Sequence, residues 1–439
     1  MSVELVTAIM FGGLIVTLIM GIPLAWGLGS IAAIVCYVLW GIEGMVTIVY
    51  STFGCMWQIV MVAIPLYICM GVMLERGGLA EALFETAHRW AGSLRGGIAM
   101  GTVVICAIFA AMTGVTATAT LTMGLIAVPA MLKRGYNKDI ALGTVAGAGT
   151  LGILIPPSII SILIAVVASI SVGKLFVAGI LPGILLGGLF IGYIGIRAWL
   201  QPKLCPPHPL KFTLKEKFIS LRTAILPLLI VLAVLGSIFL GIATPTEAGS
   251  LGVVAVLIAV GIHRKLNWKL IKHTTTETFR VTGLTMWIYF GAMCFSAVFT
   301  RAGGGQFITD IVLGLGLGPW GIVIVLNLIA FLLGCFLDPF AIIFILVPIA
   351  FPIIIDLGFD PVWFGILFVI NMQLGYITPP FGYQLFYLKS VAPPGITTAD
   401  IYRAIFPFLG VMILGMAIIM LFPQIVLWLP NLMMQLRGG

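Results

Sequence analysis

A chain of 439 residues that is 61% hydrophobic, 8% charged and carries 53 glycines has more apolar surface than one soluble core of that length can hide. It therefore reads as an all-α polytopic membrane protein. The net charge of +8 does not point to nucleic acid, because the basic residues gather in short loops between apolar segments, as the positive-inside rule expects. The seven cysteines (Cys36, Cys55, Cys69, Cys106, Cys205, Cys294, Cys335) include no CxxC pair and mostly sit in apolar runs, so no disulfide or metal framework is expected.

In chain order, "MSVELVTAIMFGGLIVTLIM" lacks a basic n-region and a small-residue cleavage site, so 3–21 is expected to be a retained first span rather than a signal peptide. Spans follow at 24–40 and 50–75. Residues 79–94 mix Glu81, Glu85, His88 and Arg89 with apolar positions and predict an interfacial arm helix. The stretch 97–132 is apolar but broken by "MTGVTATAT" (112–120). Halves of about 15 residues reach roughly 22 Å, too short to cross a core of about 30 Å, so the stretch predicts a re-entrant hairpin. Five spans come next, at 139–170, 174–200, 222–242, 246–262 and 275–300. A second hairpin is expected at 320–355, broken by "CFLDPF" (335–340), and 361–391 and 400–428 bring the spans to ten.

Two loops are basic: Lys203, Lys211, Lys215, Lys217 and Arg222 in one, Arg264, Lys265, Lys269 and Lys272 in the other. Both are expected to be cytoplasmic, with two spans between them. Counting outward places "KRGYNK" (133–138) inside, the first hairpin entering from the cytoplasm, the second from the far side, and both termini outside.

Sliding the chain along itself gives one register. Pro129 and Pro352, Gly135 and Gly358, Gly152 and Gly375, Pro156 and Pro379, and Pro157 and Pro380 are all 223 apart. Each half holds five spans and a hairpin, and an odd number of crossings inverts the second copy. The organisation expected is a first inverted repeat over 1–200, a cytoplasmic linker over 201–222 and a second repeat over 223–439. An inverted-topology repeat is the pattern of alternating-access secondary transporters, with the site near the midplane.

The middles of 139–170 and 361–391 carry "GTLGILIPPS" (149–158) and its twin "MQLGYITPPF" (372–381), which predict two broken helices. In lipid, freed backbone groups are tolerated only where they line a cavity or bind something. Each Pro-Pro suits the first turn of the following half-helix, whose N-terminus would favour an anion. The unwound carbonyls before each break, Gly149 to Gly152 and Met372 to Gly375, would suit a small hard cation.

At these residues the sequence resembles the large membrane subunit of the tripartite ATP-independent periplasmic (TRAP) transporters, the DctM family. "MTGVTATATLTMGLIAVPAM", "AGTLGILIPPSI", "GIATPTEAGSLG", "GCFLDPF" and "NMQLGYITPPFGYQLFYLKSVAPP" lie in family order, and the likeness covers essentially the whole chain. Where many members carry Gly-Ser-Ser at the first hairpin tip, this chain has Gly114-Val115-Thr116. The resemblance implies an elevator-type, ion-transporter-superfamily-like fold in a bacterial inner membrane with periplasmic termini. It also implies a sodium-driven importer of small organic acids using two or more Na+ ions. Its partners would be a small four-helix membrane subunit of the DctQ type, a soluble periplasmic binding protein of the DctP type, the organic anion and membrane lipid.

On this reading the first cation site is expected at Gly114 and Thr116 of the hairpin tip with Gly149, Thr150 and Gly152 of the break. The second is expected at Asp338 with Gly375 and Thr378, because an intramembrane carboxylate is functional by default; Asp before Pro339 also suits a helix N-cap. Glu247 is assigned a structural place in the first turn of a span. Substrate contacts are expected from Pro156, Pro157, Ser158, Asn371, Gln373, Thr378 and Pro379, while Asn371 and Gln373 would alternatively bridge packed helices. Neither break holds Arg or Lys, so the anion's charge would be met by helix ends and bound cations.

The rival readings are weaker. An intramembrane enzyme would need a base for Ser158 or a partner for Asp338, yet His88, His208, His263 and His273 fall in loops or interfacial segments and Asp139, Asp356 and Asp360 at segment ends. A sodium/dicarboxylate symporter that needs no binding protein shares the architecture, and a passive channel would not need two hairpins facing two broken helices.

Overall fold

The computed structural model describes residues 1–437 apart from 78, 92–93, 208–212, 315 and 380–381. Among the described residues it is helical throughout, with no strand. The elements follow the expected order, and the boundaries show why. Val3–Ile19 starts at an N-cap Ser2 and stops at Gly21 (φ 72°), and Leu24–Gly44 follows Pro23. Pro245–Ile262 opens with the capping box expected of an acidic first turn: Thr244 accepts from the Glu247 amide, and the Glu247 carboxylate accepts from the Thr244 amide at 2.8 Å. Glu247 is thus a helix starter.

Both hairpins are present. The first is Gly97–Thr113 and Thr116–Leu132; the second is Pro319–Gly334 and Pro339–Asp356. Their arms have 17, 17, 16 and 18 residues, longer than the 15 anticipated, because each helix runs to the tip residues. Both broken helices are present too: Lys138–Gly149 then Ile159–Val167, and Pro361–Ile377 then Tyr383–Val391. Among the described residues, seven helices have the length and composition to cross a membrane, the longest being Trp268–Arg301 with 34 residues.

Three expectations need correction. The span drawn at 50–75 is two helices, Val46–Met56 and Ala63–Arg76, joined through a short 3-10 turn. The segment 400–428 divides at Pro423 into Thr398–Leu421 and Gln424–Arg437, since proline cannot continue the ladder. Lys269, Lys272 and His273, placed in a loop by their charge, occupy the first turns of Trp268–Arg301. A further short helix, Gly304–Gly314, was not anticipated.

Shifting by 223 carries 116–132 onto 339–355, where Pro339–Asp356 runs, and 159–167 onto 382–390, where Tyr383–Val391 runs. Packing is reciprocal in the same sense. Leu24–Gly44 lies on Trp268–Arg301 while its counterpart Pro245–Ile262 lies on Ala63–Arg76; Thr116–Leu132 lies on Tyr383–Val391 while Pro339–Asp356 lies on Ile159–Val167. The two halves therefore interlock as an inverted repeat. Val172–Leu200 and Thr398–Leu421 pack with the broken helices, and the arm Leu79–Ala91 bridges the first hairpin and Leu214–Phe239.

At one end of that packed unit Lys138 Nζ donates to Asp400 Oδ1 at 2.6 Å, and Asp400 also completes a capping box with Thr397. Asp400→Asn should therefore lower the melting temperature in detergent, and Lys138→Met should lower it by a similar amount, because either change breaks the same ion pair. A drop with Asp400→Asn alone would assign the loss to the cap.

Candidate functional site

The first hairpin turns in two residues. Gly114 is left-handed (φ 64°) and Val115 extended, which brings the second arm back at Thr116. A Cβ on Gly114 would lie 2.2 Å from the Pro157 carbonyl oxygen, and one on Gly152 would lie 3.0 Å from the Thr116 nitrogen. The tip is thus seated in the break of the first broken helix. It brings together Gly114, Thr116, Gly152 and Pro157, residues separated by up to 43 positions.

Gly149 and Thr150 are placed differently. Gly149 faces Thr120, one turn beyond the tip on the first hairpin's second arm, and Gln384 of the opposite repeat. The Thr150 hydroxyl donates to Gly147 O at 2.7 Å, and its carbonyl accepts from Gln373 Nε2 at 2.9 Å. Gln373 and Thr150 are 223 apart, so this bond joins exact counterparts of the two halves.

The break itself differs from the expectation that Pro-Pro opens the half-helix. Ile159–Val167 begins after both prolines, with Ser158 as N-cap: its Oγ accepts from the Ser161 amide at 3.2 Å and donates to Ile153 O at 2.6 Å. Pro156 and Pro157 sit in the turn that precedes the cap. The hydroxyl expected to be available to substrate therefore staples the two sides of the break.

In the second half the helix persists through Met372–Gly375 to Ile377, so those carbonyls are not unwound as expected; the interruption runs from Thr378. Thr378 is extended, its amide donates to Gly375 O at 3.2 Å and its hydroxyl to Leu374 O at 2.7 Å. Pro379 is half-buried in the turn that follows, Pro380 lies outside the described residues, and Gly382 (φ 52°) precedes Tyr383–Val391. Gly375 crosses the second hairpin at Gly334 so closely that a Cβ there would lie 2.8 Å from the Gly334 Cα. Asp338 caps the hairpin's second arm, its Oδ1 accepting from the Ala341 amide at 2.8 Å, and Tyr376, Tyr383 and Tyr387 lie within its electrostatic reach.

Asn371 is buried against the second hairpin, donating through Nδ2 to Asn327 O at 2.5 Å and Asn327 Oδ1 at 3.1 Å. Sequence reasoning passed over Asn327 and Gln384. Fully buried Gln384 donates to Thr120 Oγ1 and to Ala146 O across the repeats. The oxygens Asn371 Oδ1, Gln373 Oε1 and Gln384 Oε1 are buried without a protein partner. A polar amide inside "FGYQLFYLKS" was the available signal for Gln384.

The family model described as "Tripartite ATP-independent periplasmic transporter, DctM component" matches residues 11–425. The chain belongs to this family. The C4-dicarboxylate TRAP transporter large permease protein DctM of Pseudomonas aeruginosa is 38% identical over 372 residues, covering 84% of this chain and 86% of that protein. The isethionate TRAP transporter permease protein DctMQ of Oleidesulfovibrio alaskensis is 32% identical over 95% of this chain and 65% of its own length. Among solved structures, the Alcanivorax borkumensis YdaH transporter aligns with a TM-score of 0.62 over 90% of this chain and 95% of that one, at 16% identity, a likeness of fold. This DctM chain is accordingly a transporter permease and not an enzyme.

Proposed function

We propose that this chain is the sodium-coupled membrane permease of a three-component importer for a small organic acid anion, working in the inner membrane with periplasmic termini. The reading rests most on one observation: the first hairpin tip is seated in the break of its broken helix, and the second hairpin crosses its own at Gly334 and Gly375, with Gln373 bridging to Thr150 between them. A helix interruption held against a hairpin tip costs hydrogen bonds, and such a break persists where it binds something.

Hydroxyl and carbonyl oxygens at Gly114, Thr116 and Gly152 are a donor set suited to a hard monovalent cation, and Asp338 with Gly375 and Thr378 supplies a second. Sodium bound there would supply the positive charge that neither break provides through Arg or Lys. The anion would meet the N-terminus of Ile159–Val167, whereas the unpartnered oxygens Asn371 Oδ1 and Gln373 Oε1 suit a cation or a donor group. The relatives' named substrates, a C4-dicarboxylate and isethionate, share small size and negative charge. The DctMQ relative extends well beyond the part this chain matches, which supports a second membrane module as partner, here the small subunit, alongside a periplasmic binding protein.

Uptake into proteoliposomes holding this chain and its small subunit, fed by the loaded binding protein, should require an inward sodium gradient. Equal uptake with potassium would overturn the coupling. Asparagine caps helices as well as aspartate does, so Asp338→Asn isolates the charge from the cap. It should raise the sodium concentration for half-maximal uptake by about tenfold or more, equal to about 1.4 kcal/mol, and an unchanged titration would leave Asp338 a cap only.

A further inference from the structure

Two cavities adjoin on the side of the molecule that carries the second basic loop. The inner one, about 330 Å³, reaches the first hairpin tip, where Thr113, Val115 and Thr118 line it. The outer one, about 490 Å³, is lined by Arg76, Asn267, Lys269, Lys272, His273 and Thr276. Arg76 and His273 border both, so the outer cavity is the mouth of a path that ends at the tip. Its lining has three fixed cations and no acid, and among the described residues none of the three is in an ion pair.

We propose that this mouth is a second anion site, a low-affinity vestibule that takes the carboxylate or sulfonate of the transported acid as it leaves the central site. The inference rests on the transporter reading above. Its cations come from two elements, Arg76 at the C-terminus of Ala63–Arg76 and Lys269 with Lys272 in the first turns of Trp268–Arg301. Arg76 agrees with its helix dipole, whereas Lys269 and Lys272 stand where the dipole favours acids. The local helix therefore gains nothing from them; they fit the basic side of the membrane, and there they line the outer cavity. The inner cavity adds Glu75 and Glu277 beside the tip, so the path runs from mixed charge to wholly positive. An anion released at the tip is drawn outward along that gradient. Lys269, Lys272 and Thr276 are exposed, so this one-signed patch concentrates its counter-ion through solvent, and the effect fades as salt shortens the Debye length below its value of about 8 Å at physiological strength.

The test uses Thr276→Cys in a background without the native cysteines, in full-length protein with its small subunit. An anionic thiosulfonate should react with position 276 about tenfold faster, relative to a cationic one, than it does after Lys269→Gln and Lys272→Gln are added. Succinate should protect position 276 in phosphatidylcholine vesicles, and the protection should disappear in the double variant and at 1 M salt. Adding phosphatidylglycerol separates the two sources of the same chemistry. Protection by the lipid but not by succinate would assign the cations to headgroups and overturn the proposal, as would no protection at all. In transport, the double variant should raise the succinate KM from this face several-fold and leave the KM from the other face unchanged; equal values on both would also overturn it. Labelling is read without transport, so succinate protection in a protein that shows no sodium-driven uptake would retain the anion site and remove the importer reading.

Discussion

Gly114→Ala should abolish uptake, to below about a tenth of the parent rate, while the chain still inserts and purifies. Two independent constraints meet at this residue. Its backbone is left-handed (φ 64°), which costs an L-residue about 1–2 kcal/mol. A methyl group there would also overlap the Pro157 carbonyl oxygen, at 2.2 Å from a backbone atom that cannot rotate aside. The tip would have to withdraw from the break, separating Thr116 from Gly152. Gly375→Ala should act in the same way in the second half, since the Gly334 Cα stands 2.8 Å from the added carbon. Gly188→Ala is the control: nothing lies within 4 Å of a Cβ at that helical position, and replacing a helix-interior glycine is worth about 0.5–1 kcal/mol of stability. Uptake rates normalised to inserted protein decide the matter. If Gly114→Ala and Gly188→Ala transport alike, the tip does not need to sit in the break.

The architecture was legible because lipid punishes irregular backbone, so its breaks must be written in glycine, proline and polar residues that stand out against leucine and valine. Three prolines in one register located the repeat, composition marked the breaks at 112–120 and 335–340, and the family resemblance put the first tip at Gly114. Finer boundaries were not legible. Glycine in an apolar helix does not by itself end the ladder, which is why Gly375 stays helical to Ile377 while Gly149 begins a 3-10 turn. Proline at the first helical position is a preference, and Ser158 outcompetes it here by accepting from the Ser161 amide. Gln384 escaped notice because its partner Thr120 lies 264 positions away and off the repeat register, so no pattern along the chain pairs them. The helix Gly304–Gly314 was within reach: shifted back by 223 it falls on 81–91, inside the arm that the charges of Glu85 and Arg89 had marked.

The largest change of accessibility is expected at Thr118. It lies on the second arm of the first hairpin and lines the inner cavity, which opens to the side of Lys269 and Lys272. If the hairpins, the broken helices and the two long helices packed on them slide as one body against the frame of Leu24–Gly44, Ala63–Arg76, Pro245–Ile262 and Trp268–Arg301, Thr118 must cross with them. In a background without the seven native cysteines, Thr118→Cys should react with membrane-impermeant thiol reagents from the basic-loop side in the state seen here. Under conditions that favour the other state it should react from the opposite side. Thr276→Cys, on the frame, should react from the basic-loop side throughout. Sodium and substrate should move the Thr118 balance together, because a ligand shifts an equilibrium only by binding one state better, and going from 1:99 to 99:1 takes a preference of about 10⁴-fold. A fixed-site gate predicts something else: Thr118 would change its reaction rate but never its side. Labelling from one side under every condition, with transport intact, would replace the sliding body with such a gate around the Gln373–Thr150 bond.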